Sequence, residues 1–144
     1  MGMVDIADKP VVSRLAEASG RIFLDPKTIE ELKAGRIRKG DPLQVAEVAA
    51  LNAAKQTHML IPHCHQISLD MVNARFQVND DSVDVNCQVS AWAKTGVEME
   101  ALVGVSMALN TIWDMVKYLE KDKKGQYPHT RIADIRVLVK KKGE

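Results

Sequence analysis

The chain predicts an α+β fold, a ferredoxin-like antiparallel sheet with helices packed on one face, and three observations carry that prediction. Along 144 residues the periodicities run strand, helices, strand, strand, helix, strand, the order of a split βαβ arrangement. From Val83 to Ala93 the residues alternate. Val83, Val85, Cys87, Val89 and Ala91 face one way and Asp84, Asn86, Gln88, Ser90 and Trp92 the other, as in a sheet with one buried face. Between Val97 and about Glu120, Met99, Leu102, Val103, Leu109, Ile112, Trp113, Val116 and Leu119 recur at helical spacing, which predicts a long, mostly buried helix.

The remaining elements follow from local chemistry. Val11 to Leu24 mixes β-branched and aliphatic residues in loose alternation around Gly20, the pattern of a bent or bulged strand. Asp25-Pro26 supplies a cap followed by proline at the first helical position, Ile29 and Leu32 share a face, and Gly35 closes this short helix. Asp41-Pro42 repeats the signal, with Gln44 three residues after the cap, ahead of an alanine-rich helix from Val45 to Met59 that ends before Pro62. Ile67 to Val78 pairs with the strand from Val83 through the turn Asn79-Asp80-Asp81-Ser82. Lys121 to Pro128 reads as a loop and Arg131 to Val139 as a last strand, leaving Lys140-Lys141-Lys142 as a solvated tail. No repeat or linker interrupts the chain, so residues 1–144 are expected to form a single domain.

Composition narrows the function. With 20 Lys and Arg against 19 Asp and Glu, the net charge of +1 offers no general attraction to nucleic acid or anionic membrane. No apolar run reaches the roughly 18 residues that span a bilayer, and the start MGMVDIADKP has no apolar signal core, so a soluble cytoplasmic protein is expected. Cys64 and Cys87 are too few for a disulfide framework and are expected to be reduced. Walker, GxGxxG and GxSxG motifs are absent.

Chemistry can reside on the long helix. Ser106, Asn110, Asp114 and Lys117 follow one another in steps of four, four and three, which places them on one flank. Asp114 and Lys117 can then act as general base and acid, each modifying the other's proton affinity. The same spacing also describes a solvated i, i+3 salt bridge. Glu98 and Glu100 sit in the first turn, where carboxylates complement the helix dipole, and Lys55 suits the last turn of its own helix. The basic loop Arg36 to Gly40 precedes a helix N-terminus, a position that favours anions. His63-Cys64-His65 contains zinc-ligand residue types, yet so tight a run rarely closes a tetrahedral site and no second pair accompanies it, so no metal site is assigned.

Taken together these stretches resemble the cyclic pyranopterin monophosphate synthase family, also known as molybdenum cofactor biosynthesis protein C. The matching parts stand in family order over nearly the whole chain: MVDIADKP with Arg14, Lys39-Gly40-Asp41, Ala53-Ala54-Lys55, Ile61-Pro62 with Cys64-His65, the specific run KTGVEMEAL from Lys94 to Leu102, and Asp114-Met115 with Lys117. The resemblance implies that Lys39, Asp114 and Lys117 are catalytic, and that Arg14, Lys55, His65, Glu98, Met99 and Glu100 line the substrate pocket. It implies conversion of 3',8-cyclo-7,8-dihydroguanosine triphosphate, made by a radical SAM GTP cyclase, into cyclic pyranopterin monophosphate and diphosphate. No redox cofactor is required by that rearrangement, and Mg²⁺ can accompany the triphosphate. A hexamer, a trimer of dimers with sites shared at a subunit boundary, is implied as well, together with functional coupling to the cyclase.

Several positions depart from the family pattern. His63 and Gln66 replace a leucine and a proline around Cys64-His65, Ala93 replaces a glycine, Trp113 replaces a tyrosine, and a Gly- and Ser-rich C-terminal segment is missing. None removes a residue to which the resemblance gives a chemical role. Two rival readings are a non-catalytic nucleotide-binding protein and a structural oligomer whose polar stripe sets subunit register. A pure polyphosphate binder gains nothing from a carboxylate at the site, which counts against the first. Observed turnover would separate the enzyme from both.

Overall fold

The computed structural model describes residues 1–143. Strand β1 (Val12–Phe23) leads through Asp25 into helix α1 (Pro26–Lys33). The Asp25 side chain accepts from the Lys27 amide, Pro26 starts the helix, and Gly35 turns the chain at φ 69°. Helix α2 (Pro42–Lys55) is capped in the same way, with Asp41 accepting from the amides of Leu43 and Gln44. The expected single helix from Val45 to Met59 is divided at Gln56, after which one turn, α3 (Thr57–Leu60), is set apart. Thr57 is buried and its hydroxyl donates to the carbonyls of Ala53 and Ala54, a back-bonding geometry that bends a helix.

Strands β2 (Met71–Val78) and β3 (Ser82–Ala93) form the expected hairpin, although β2 begins at Met71 rather than Ile67. Helix α4 (Glu98–Glu120) follows, and the chain ends in β4 (Arg131–Lys142). The sheet order is β2-β3-β1-β4 with every pairing antiparallel, the α+β ferredoxin-like arrangement that the sequence predicts. The irregularity expected around Gly20 belongs to the β1–β4 pairing, where the register shifts twice and Asp134 adopts φ 60°. These shifts leave extra residues in β4, while β1 pairs with β3 without interruption.

The expectation of a solvated lysine tail is corrected. Lys140, Lys141 and Lys142 pair in register with Ala16, Leu15 and Arg14. Their long side chains reach solvent while the backbone completes an edge strand, a common use of lysine at a sheet edge.

The core lies between the sheet and the helices. Val83, Val85, Cys87 and Val89 are fully buried, as the alternation requires, and meet Ala101, Val105, Leu109, Ile112 and Val116 of α4. Leu119, expected on that apolar stripe, is 38% exposed. Small residues let the layers approach closely. A Cβ at Gly104 would lie 2.9 Å from Cys87 Sγ and 3.4 Å from the Ala50 carbonyl, so glycine is what brings α4 onto both β3 and α2. Burial pushes the Cys87 thiol up to about 11, and both cysteines are free. At the far end of α4 the buried Glu120 carboxylate accepts from Thr28, from the Asp25 amide and from the Thr130 hydroxyl at 2.7 Å. One side chain therefore ties the start of α1 and the approach to β4 to the end of α4.

Candidate active site

Lys39, Asp114 and Lys117 meet at one place. Asp114 and Lys117 are one helical turn apart on α4, and their ammonium-to-carboxylate distance is 2.9 Å. Lys39 arrives from the loop between α1 and α2, which Gly40 turns at φ 118° into the Asp41 cap. Its Nζ donates to the Asp114 main-chain carbonyl at 2.9 Å and lies 3.5 Å from Oδ2 of the carboxylate. Hydrogen bonding to Lys117, then its charge and that of Lys39, hold the Asp114 carboxyl below the usual range. The Asp114 carboxylate in turn raises Lys117. The cluster thus presents a base in its ionised form beside two ammonium donors, a set suited to proton transfer next to a developing or resident negative charge. It is open to solvent, with 60% of the Asp114 side chain exposed, so the salt bridge itself contributes little to folding.

A second group of predicted residues gathers at the other end of α4. His63, Cys64, His65, Glu98, Met99 and Glu100 line a hollow of about 180 Å³. Glu98 is held by Lys140 at 3.1 Å through Oε1, while its buried Oε2 has no hydrogen-bond partner among the described residues. Glu100 is buried, and desolvation, assisted by Glu98, pushes its carboxyl up. An orphaned acceptor beside a carboxyl biased toward its neutral, donating form is suited to a ligand edge that both donates and accepts hydrogen bonds. The His65 ring bonds the Val4 carbonyl at 2.7 Å, which draws the N-terminal segment to the hollow. Burial, then the charges of Glu100 and Glu98, raise the Cys64 thiol, so this is not an activated nucleophile.

The other two predicted residues join neither cluster directly. Arg14 is buried in β1 and gives its guanidinium to the carbonyls of Ala93 and Lys94, at 3.3 and 3.0 Å. It braces the segment that leads into Thr95-Gly96. Lys55 is exposed in the last turn of α2. From Glu100 to Asp114 runs about 21 Å of helix at 1.5 Å per residue, so the two clusters are separate within one chain. Among the described residues no three His, Cys, Asp or Glu side chains converge as a metal site. A cleft of about 740 Å³ lies on the face of the sheet that carries no helices, and none of the predicted residues lines it.

Sequence reasoning missed Lys140, because a run of three lysines reads as tail, and it missed Tyr118. The Tyr118 hydroxyl accepts from the Arg38 amide at 2.7 Å, immediately before Lys39. An aromatic residue directly after Lys117, on an otherwise polar flank, was the available signal. Trp113, the departure next to Asp114, packs edge-on against Tyr127 with ring centroids 5.2 Å apart, so the 121–130 loop forms a wall beside the cluster.

A relative from Thermococcus kodakarensis, named probable cyclic pyranopterin monophosphate synthase, is 56% identical over 99% of this chain and 91% of its own length. Relatives with the same name from Aeropyrum pernix and Methanosarcina mazei are 52% and 50% identical, each over 99% of this chain and over 97% and 90% of their own lengths. The MoaC family profile matches residues 3–143. The chain belongs to the MoaC family.

Proposed function

We propose that this chain is a cyclic pyranopterin monophosphate synthase of molybdenum cofactor biosynthesis, a lyase that turns 3',8-cyclo-7,8-dihydroguanosine triphosphate into cyclic pyranopterin monophosphate and diphosphate. The observation that carries this reading is the Lys39–Asp114–Lys117 cluster, in a chain 56% identical to a relative bearing that name. Opening the purine imidazole ring and closing a pyran ring both move protons, and Asp114 is the group able to accept one while Lys117 returns one. Cyclising the phosphate and expelling diphosphate concentrates negative charge, which Lys39 and Lys117 neutralise. The hollow at Glu98 and Glu100 takes the base, whose amino and ring N–H groups fit carboxyl partners. Lys55 adds charge for the phosphate chain, and Arg14 acts by bracing the Lys94 segment.

Assembly completes the site. A second copy, within a hexamer built as a trimer of dimers, brings its Glu98–Glu100 half-site to the Lys39–Asp114–Lys117 half-site of the first. Supporting this are the 21 Å or so between the half-sites within one chain and the apolar surface left uncovered. Trp92 on β3 and Ile135, Val137 and Leu138 on the edge strand β4 are all exposed. Covering the Asp114 cluster also removes the water that screens it in a single chain.

The reaction is proposed to run in the cytoplasm, on nucleotide supplied by the radical SAM cyclase. No helix among the described residues is long and apolar enough to cross a membrane. Mg²⁺ enters with the triphosphate rather than at a resident site, because Asp114 is already committed to two ammonium groups. Incubation with the cyclised nucleotide should yield the pterin monophosphate and one diphosphate per turnover. Tight binding without product would establish the non-catalytic reading instead.

A further inference from the structure

Lys39 sits on a loop, and four rotatable bonds give a lysine side chain no intrinsic reason to remain on Asp114. The residue before it is gripped twice. The Arg38 amide donates to the Tyr118 hydroxyl at 2.7 Å, and the Arg38 guanidinium lies over the Tyr118 ring, 4.6 Å from its centroid. Tyr118 stands on α4, one residue after Lys117. A single side chain on the helix that carries Asp114 thus holds both the main chain and the side chain of the residue adjoining Lys39.

We infer that Tyr118 is a positioning residue for the reaction, clamping the 36–40 loop so that Lys39 stays on Asp114. The inference rests on the reading of Lys39 as part of the active site. A rival source of order is the Asp41 cap, which fixes the loop where it enters α2. That cap lies beyond Gly40, which turns the chain at φ 118° on the far side of Lys39 and so separates the cap from the segment that carries Lys39. Upstream, the nearest fixed point is Ile37, which is buried. The Gly40 amide donates to the Ile37 carbonyl at 3.2 Å and closes a turn over Arg38 and Lys39, which fixes the shape of the segment; the Arg38–Tyr118 contact ties that turn to α4 and so sets the direction in which the main chain delivers Lys39.

The test has one arm that needs no activity. Tyr118→Phe keeps the ring and removes the hydroxyl. The rate of amine-selective modification at Lys39, read by peptide mass mapping, should rise several-fold, with Lys55 as the internal control and unchanged. Arg38→Ala, at an exposed position, removes the ring contact and keeps the amide bond, and should raise Lys39 modification by a smaller factor. The second arm is kinetic. Loss of preorganisation at Lys39 should lower kcat about tenfold in Tyr118→Phe with KM within about twofold. The same substitution should have no further effect on the residual rate of Lys39→Ala, because a residue that acts only through Lys39 has nothing left to act on. Unchanged Lys39 modification in both variants would overturn the clamp, as would an undiminished tenfold loss in the Lys39→Ala background. Should the wild-type protein make no pterin while Lys39 modification still rises, the clamp stands and the proposed reaction alone fails.

Discussion

Lys39 and Asp114, 75 positions apart in the chain, are joined through the Asp114 main chain as well as its side chain: the ammonium donates to the carbonyl at 2.9 Å and lies 3.5 Å from the carboxylate. The carbonyl bond survives any side-chain substitution at 114. Asp114→Asn should therefore leave Lys39 in place and the melting temperature unchanged, while removing the proton acceptor. A fall in kcat of at least about 100-fold is expected. Activity within a few-fold of wild type would end the assignment of Asp114 as base.

The placement of the half-sites predicts a pattern of complementation. Lys39 and Asp114 belong to one cluster of one chain, so mixing inactive variants at these two positions should restore nothing. Mixing Asp114→Asn with Glu100→Ala should restore activity, because a boundary between two different variants can contain one intact half from each. Random exchange at equal amounts leaves about a quarter of sites intact. Recovery in the first mixture and none in the second, with subunit exchange proven by mass spectrometry, would reverse the arrangement.

Glu100 makes stability depend on pH in a definite direction. Its carboxyl is pushed up in the folded chain by burial, so the folded state favours the proton more than the unfolded state does. The associated stability is complete below the ordinary glutamate range and is lost as pH rises through the folded value. Glu100→Gln cannot ionise and should lose that slope. Its melting temperature should match wild type at low pH and exceed it near neutrality, as followed by thermal unfolding across the pH range. Parallel curves would show that Glu100 meets no greater desolvation in the folded protein than in the unfolded chain.

Much of the fold was legible because its signals are local. The Asp25-Pro26 and Asp41-Pro42 caps and the alternation through Val89 each depend on neighbours in sequence, and all are found in the structure. The split at Gln56 was not legible, since it depends on a Thr57 hydroxyl turning back to the helix. Nor was the pairing of Lys140, because the partner strand lies more than a hundred residues away and lysine composition alone resembles a free tail. At the site, the i, i+3 spacing of Asp114 and Lys117 could be read directly. The approach of Lys39 needed tertiary structure: the local sequence marked its basic loop as a position that favours anions, and only the family resemblance singled out Lys39 within it.

The His63-Cys64-His65 segment yields a prediction about metal. His65 is engaged with the Val4 carbonyl and Cys64 lies in a hollow with two acidic neighbours, so protein purified without added metal should contain far less than one zinc per chain. It should stay folded in chelator. His65→Ala should raise KM and leave the fold intact. Stoichiometric zinc by elemental analysis with chelator-induced unfolding would contradict this account. Activity lost in chelator with the fold preserved would point to Mg²⁺ on the triphosphate.

Helix α4, at 23 residues, works as a ruler with an angular as well as a linear scale. Glu98 and Glu100 ride on its first turn and Asp114 and Lys117 on its fifth and sixth, with no joint between them. Deleting one residue from the middle would shorten the span by only about 1.5 Å, yet it would swing one half-site by about 100° around the axis relative to the other. An insertion or deletion would thus be better borne in a connection, such as the 121–130 loop, while the helix between the two carboxylate groups must keep its phase.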